Sequence, residues 1–116
     1  MSTMEQVVFE TDGAATSGTG SEELSGETFF ISPGMHITDL FQTSCGTLAN
    51  DADWQLYIDG IATRWTWTAE ELDPASVGRP KLPKSIGISP GRLVQFKWSG
   101  QAVAASNKLK VQFLKG

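Results

Sequence analysis

The segment from Trp54 to Trp67 is the feature that most constrains how this chain folds. Its sequence, WQLYIDGIATRWTW, places Asp59-Gly60 between two runs in which apolar and polar residues alternate. Asp-Gly supplies the positive φ angles of a two-residue type I′ turn, so the segment is predicted to form an antiparallel hairpin. The turn predicts three cross-strand pairs: Ile58 with Ile61, Leu56 with Thr63, and Trp54 with Trp65. Together with Trp67, these side chains are predicted to share the buried face of the hairpin.

Other segments show the same alternation. Strands are predicted at residues 28–32, 35–43, 92–98 and 108–114, and the last two carry the apolar faces Val94, Phe96, Trp98 and Leu109, Val111, Phe113. The sequence Ile-Ser-Pro-Gly occurs twice, at 31–34 and 88–91, and its Pro-Gly pair is typical of a type II turn. Thr68-Ala69-Glu70-Glu71 has the pattern of a capping box, and Pro74 limits the helix to about one turn. Six to eight short strands with almost no helix predict an all-β antiparallel sandwich with Greek-key or jelly-roll winding.

The first 26 residues differ in composition from the rest. Residues 11–26, TDGAATSGTGSEELSG, are rich in Gly, Ser, Thr and acids, and they offer too little apolar surface to offset the entropy of ordering them. We therefore predict a flexible acidic arm over residues 1–26 and a single sandwich domain over residues 27–116. Within the arm, Val7, Val8 and Phe9 form a short apolar stretch that is predicted to add a strand to a sheet of a neighbouring subunit.

Charges are segregated along the chain, which has a net charge of −4. Acids without bases precede Phe29, and bases without acids follow Asp73. One interpretation is two solvated surfaces. The other is an interface between copies, in which an acidic arm meets a basic face. The candidate interface residues are Val7, Val8, Phe9, Glu22 and Glu23 on the acidic side, and Arg79, Lys81 and Lys84 on the basic side.

The residues that catalysis and metal binding require are scarce. His36 and Cys45 are the only residues of their types, so they cannot supply the roughly four nitrogen or sulfur ligands of a zinc site. Asn50-Asp51-Ala52-Asp53 offers oxygen ligands for calcium or, alternatively, an ordinary turn before the hairpin. We predict a protein that is not an enzyme, with no catalytic residues, cofactor or metal.

Four tryptophans in 116 residues leave two interpretations open: a platform on which sugar rings stack, or a buried core. The hairpin register favours the core. Nucleic acid would have to bind through the basic C-terminal half, but Phe96 and Trp98 share an apolar face while Lys97 points away from it. No apolar run approaches the length of a membrane span, and residues 1–10 lack the basic start and apolar stretch of a secretory signal.

The acidic Gly/Ser/Thr-rich arm, the YIDG hairpin, the Pro-Gly corner before Arg92-Leu93-Val94-Gln95-Phe96 and the C-terminal strand together resemble small single jelly-roll virion proteins. The likeness is to capsid and vertex (penton) proteins of icosahedral, membrane-containing phages, and it covers residues 27–116. The resemblance implies a self-assembling structural protein of a capsid, vertex or head decoration. Such a protein is made in the host cytoplasm, ends in the virion, and has itself and other shell proteins as partners. The alternative function is a carbohydrate- or ligand-binding sandwich module.

Overall fold

The described residues of this protein form ten short strands and one helical turn. We describe a computed structural model, which covers residues 3–12, 15–43, 51–72, 86–102 and 107–115. The strands are β1 (Thr3–Glu10), β2 (Ser17–Thr19), β3 (Ser21–Glu22), β4 (Phe30–Ile31), β5 (Met35–Thr43), β6 (Asp53–Ile58), β7 (Ile61–Trp67), β8 (Ile86–Ile88), β9 (Leu93–Ser99) and β10 (Lys108–Lys115). The helix, α1, spans Ala69–Leu72 and lies between β7 and β8.

The strands form two antiparallel sheets that pack face to face. The first sheet has the order β3-β1-β10-β5-β8, and the second has the order β2-β9-β6-β7. β4 also belongs to the second sheet, where it pairs with β9 beside β2. The predicted all-β antiparallel sandwich is therefore confirmed.

Aromatic side chains join the two sheets across the core. Phe9 of the first sheet packs against Phe96 of the second, with ring centroids 5.0 Å apart. Phe113 stacks on Phe30 at 5.5 Å. The predicted apolar faces of the last two strands are confirmed, since their members are almost completely buried: Val94, Phe96, Trp98, Leu109, Val111 and Phe113. Burying large aromatic side chains in this way is a main source of stability for so small a domain.

The type I′ hairpin turn is confirmed, but its register is only partly as predicted. Asp59 and Gly60 have φ angles of 54° and 78°, and Ile58 pairs with Ile61. Trp54, however, pairs with Trp67 and not with Trp65, because the register shifts between Gln55 and Tyr57. Three residues of β7 face Leu56 of β6 in this irregular stretch, which is a β-bulge.

Two side chains form hydrogen bonds at the bulge. The Thr63 hydroxyl donates to the carbonyl of Leu56 at 2.8 Å and accepts from the amide of Trp65 at 3.2 Å. Gln55 adds a bond from its amide nitrogen to the carbonyl of Thr63 at 2.7 Å. These contacts satisfy backbone groups that lose their ladder partners at the bulge.

The two Ile-Ser-Pro-Gly corners contact each other. Gly34 and Gly91 both have positive φ angles, as the predicted turns require. The amide of Gly91 donates to the carbonyl of Ser32 at 2.6 Å, and the amide of Ser32 donates to the carbonyl of Arg92 at 2.9 Å. The repeat therefore marks one packed corner of the sandwich.

The capping box before α1 is also confirmed. The Thr68 amide donates to the Glu71 carboxylate at 3.0 Å, and the Glu71 amide donates to the Thr68 hydroxyl at 3.3 Å. Asp53 accepts from the amide of Ala69 at 2.8 Å and so ties the helix to β6. These bonds satisfy amides that the first turn of a helix leaves without partners.

The prediction of a flexible arm over residues 1–26 is wrong for the described part of that segment. β1 pairs with β10 along its whole length, from Thr3 opposite Lys115 to Glu10 opposite Lys108. β3 pairs with β1, and β2 pairs with β9. The composition of this segment predicted disorder, but Val7 and Phe9 are buried in a core that they share with strands distant in the sequence. The sandwich therefore includes residues that the sequence assigned to a separate arm.

Candidate functional site

The predicted acidic interface residues lie on the first sheet, around β1. Val7 and Phe9 belong to the core, with exposed fractions of 9% and 0%, and Val8 is half-buried on the outer face. Glu22 ends β3, and its carboxylate accepts a hydrogen bond from the amide of Leu24. A strand fixed in this way cannot reach a neighbouring subunit without opening its own core.

Some of the segregated charges lie next to each other within the same chain. Because β1 and β10 are adjacent, the acidic start of the chain meets its basic end. The ammonium group of Lys108 lies 3.4 Å from the carboxylate of Glu10 and 3.7 Å from that of Glu23. Arg79, Lys81 and Lys84, the predicted basic partners, lie outside the described residues.

A groove of about 330 Å³ runs along β1. Its apolar walls are Val7, Val8, Leu24 and Phe30. Leu24 is 94% exposed, so the groove opens to solvent on that side. Glu5, Glu22 and Glu23 give its rim an acidic character. The sequence singled out four residues of this groove, and it gave no sign that Phe30 would lie beside β1; the four are Val7, Val8, Glu22 and Glu23.

A larger cleft of about 620 Å³ lies on the second sheet. Polar side chains from β6, β7 and β9 contribute to it, including Asp53, Gln55, Thr66, Lys97 and Ser99. The ammonium group of Lys97 lies over the ring of Tyr57, 4.5 Å from its centroid. This contact is a cation–π interaction, and it covers the one tyrosine that lines the cleft.

The tryptophans do not form an exposed platform. Trp54, Trp67 and Trp98 are 2–3% exposed, and Trp65 is half-buried. The Trp54 indole donates to the side-chain oxygen of Gln42 at 2.9 Å in the interior. The guanidinium of Arg64 lies 5.3 Å from the centre of the Trp65 ring. The core interpretation of the tryptophans therefore fits the structure better than the sugar-stacking one.

Exposed apolar side chains gather around the start of β9. Ile31 of β4 pairs with Leu93 of β9, and their exposed fractions are 58% and 40%. The β6–β7 turn lies alongside, because the amide of Asp59 donates to the carbonyl of Leu93 at 2.8 Å. Ile61, just after that turn, is 71% exposed. Ile61 pairs with Ile58, which pairs with Val94, so its side chain lies on the opposite face of the sheet from Leu93. We call Ile31 and Leu93 the apolar tip.

A charged contact fixes the shape of the apolar tip. The Asp59 carboxylate accepts from the amide of Leu93 at 2.9 Å and from the guanidinium of Arg92 at 2.6 Å. The backbone hydrogen bond from Leu93, and then the one from Arg92, hold the pKa of the Asp59 carboxyl below its usual value.

The two aspartates that the sequence offered for calcium have different partners. Asp51 is buried and accepts from the side-chain amide of Asn107 at 2.9 Å, whereas Asp53 caps α1. In the described part of the chain, no three His, Cys, Asp or Glu side chains gather closely enough to hold a metal ion. His36 is exposed on β5, and Cys45 lies outside the described residues. This arrangement fits the turn interpretation of residues 50–53.

No protein-family model matches the chain, and no curated protein matches it. Within the described ranges, the structure contains no helix with the length and apolarity needed to cross a bilayer.

Proposed function

We propose that this chain is a structural subunit of a virion or similar shell, as a capsid, vertex or head-decoration protein, and that it is not an enzyme. The observation that carries the proposal is the strand order. Apart from the short strands β3 and β4, the sheets read β1-β10-β5-β8 and β2-β9-β6-β7. The first strand pairs with the last, and each later pair is nested inside the previous one.

This nested order is the winding expected of a jelly roll, in which a long antiparallel pair of strands is rolled into two sheets. Viral capsid proteins recur among the proteins built in this way. Lectins and cupins share the architecture, so the fold supports the proposal only together with the surface.

The apolar tip provides that second support. Ile31 and Leu93 pair with each other and expose large side chains at one corner, where the Asp59–Arg92 pair holds the backbone in place. Adjoining exposed apolar side chains on an ordered backbone can form part of a surface that binds another protein. In the proposed function, this corner packs against another copy of the chain or against another shell protein.

Assembly of the purified full chain tests the proposal. Native mass spectrometry and electron microscopy over a range of concentrations should show a closed oligomer or a shell. Leu93→Lys should weaken assembly without lowering the melting temperature. The matched control is Ser99→Lys, because Ser99 is an exposed residue at the other end of β9. A wild-type chain that stays monomeric at every concentration, or equal assembly of both variants, would argue against this function.

The cleft on the second sheet favours a second candidate, a module that binds a small polar ligand such as a carbohydrate. Its size is within the range of ligand sites. Against it, Lys97 covers the Tyr57 ring, and the tryptophans are buried. Titration with soluble sugars, followed by NMR of the backbone amides of β6 and β9, would show localised shifts at Gln55 and Lys97 if this candidate is correct.

A further inference from the structure

The edge of the first sheet is open along most of β1. On one side β1 pairs with β10 over its whole length, but on the other side β3 pairs only with Phe9 and Glu10. The last contact on that side is the bond from the Glu23 amide to the Val8 carbonyl, at 2.8 Å. From Val8 back to Thr3, no described strand covers this edge.

The ladder geometry shows which backbone groups face outward. In an antiparallel strand, the amide and carbonyl of one residue point to the same neighbour, and alternate residues point to opposite neighbours. Since the carbonyl of Val8 points toward β3, the amides and carbonyls of Gln6 and Met4 point the same way. They are therefore directed toward the open edge, away from β10.

The groove beside this edge has a defined chemistry. Val7 and Phe30 give it an apolar wall, and Leu24 adds an apolar side chain that is almost fully exposed. Its rim carries the carboxylates of Glu5, Glu22 and Glu23, of which Glu23 lies near Lys108. The rim of the groove therefore carries three carboxylates.

We propose that the β1 edge and its groove bind an extended polypeptide segment of another protein in which basic and apolar residues alternate. The segment adds a strand to the first sheet through the amides and carbonyls of Met4 and Gln6. Its apolar side chains contact Val7 and Phe30, and its lysines or arginines lie beside the carboxylates of the rim. Such a contact also covers an edge that would otherwise favour aggregation.

The acidic rim of the groove favours a basic segment over the β1 strand of a second copy as the occupant of the edge. Two copies of β1 pairing across the open edge would bring Glu5 of each chain close to the other chain and to the acidic rims of both grooves. Like charges placed opposite each other on neighbouring strands are destabilising. A basic segment is instead attracted by the same carboxylates. The inference goes beyond the proposed function because it names the chemistry of a partner at a defined edge.

A peptide provides the test. The probe is fluorescein-labelled KLKVQFLK, whose alternating pattern is that of Lys108–Lys115. Its binding to the full-length protein, measured by fluorescence anisotropy, should saturate and should weaken as salt is added. The control peptide ELEVQFLE, in which every lysine is replaced by glutamate, should bind at least about tenfold more weakly.

Two variants of the protein separate backbone pairing from simple charge attraction. Gln6→Pro removes an amide that points to the open edge and leaves the β1–β10 ladder intact, so it should lower affinity by about tenfold. Gln6→Ala keeps that amide and should bind as the wild type does. In the unmodified protein, hydrogen exchange of the Met4 and Gln6 amides should be fast and should slow when the peptide is added.

Three results would overturn the inference: no preference for the basic peptide, equal binding by folded Gln6→Pro and Gln6→Ala, or Met4 and Gln6 amides already protected in the protein alone. If Gln6→Pro does not fold, the exchange measurement on the wild type decides. None of these results bears on the proposed shell function, which native mass spectrometry tests separately.

Discussion

Asp59 connects two separate elements at the scale of a single residue. It occupies the first position of the β6–β7 turn with a positive φ angle, and its carboxylate accepts bonds from Leu93 and Arg92 at the start of β9. The turn is therefore attached to the neighbouring strand as well as closing its own hairpin. This attachment gives the residue an expected pH dependence.

Replacing Asp59 by Asn should lower the free energy of unfolding at neutral pH, while the tolerance of the site for positive φ is kept. Since folding lowers the pKa of Asp59, its stabilising effect is present above the usual carboxyl pKa and is lost as the pH falls through the folded-state value. Urea unfolding at several pH values should show the wild type and Asp59→Asn converging below about pH 4. A difference that is the same at every pH would contradict this explanation.

Gly60 allows a test of backbone strain without steric clash. Its φ angle is 78°, and no described atom lies within 4 Å of where a Cβ would be. Gly60→Val should therefore lower the free energy of unfolding by about 1 kcal/mol or more, because valine at this position strains the backbone without a steric clash. Gly60→Asn should cost less, because Asn adopts the left-handed conformation more readily. Equal stability of Gly60→Val and the wild type in chemical denaturation would mean that the turn is not formed as described.

At the scale of elements, alternation was sufficient to predict the buried faces of β9 and β10, but the hairpin follows its prediction only in part. Trp54, Leu56 and Trp67 are buried as predicted, because the two extra residues of the bulge preserve the alternation of β7. Ile61, which was predicted to share that buried face, is 71% exposed. The partner of Trp54 nevertheless changes from Trp65 to Trp67. The predicted pairs require an uninterrupted ladder of backbone hydrogen bonds from the turn onward. The ladder is interrupted around Thr63, whose hydroxyl donates to the carbonyl of Leu56.

Thr63→Val tests the bulge directly. Valine has a similar shape but no hydroxyl, so the carbonyl of Leu56 and the amide of Trp65 lose a partner. We expect a loss of about 1 kcal/mol in the free energy of unfolding. Thr66→Val, an exposed position on the same strand, is the matched control and should change stability by less than about 0.5 kcal/mol. Equal stabilities of the two variants would show that the hydroxyl does not hold the bulge.

Closure of the sandwich is decided at the scale of the whole molecule by contacts between the two ends of the chain. β1 lies between β3 and β10, and its Phe9 is fully buried against Phe96. Asn107, just before β10, donates to the hydroxyl of Thr11 at 2.8 Å, just after β1. The first residues are therefore part of the folded domain.

Deleting residues 1–26 should abolish the cooperative unfolding transition, because the deletion exposes one face of the core and one edge of β10. If residues 1–26 were the flexible arm that the sequence predicts, the deletion would instead leave a folded domain. A single substitution tests the same role of the N-terminal segment in the core. Phe9→Ala should lower the free energy of unfolding by about 3–5 kcal/mol, whereas Met4→Ala, at a position that is 58% exposed, should lower it only slightly. A protein that lacks residues 1–26 and still unfolds in a sharp thermal transition would contradict this view of the N-terminal segment.

The amino-acid sequence was enough to predict the all-β class, the Asp59-Gly60 turn, the capping box and the buried faces of β9 and β10. These features follow from φ angles, hydrogen bonds and alternation within a few residues of one another, so local sequence is enough to specify them. Three features emerge only in the folded molecule: β1 joins the first sheet, the Ile-Ser-Pro-Gly corners meet, and Phe30 lies beside β1 in the groove. Strands at opposite ends of the chain have no local signal for their pairing, because the apolar surface that rewards it exists only after both sheets have closed.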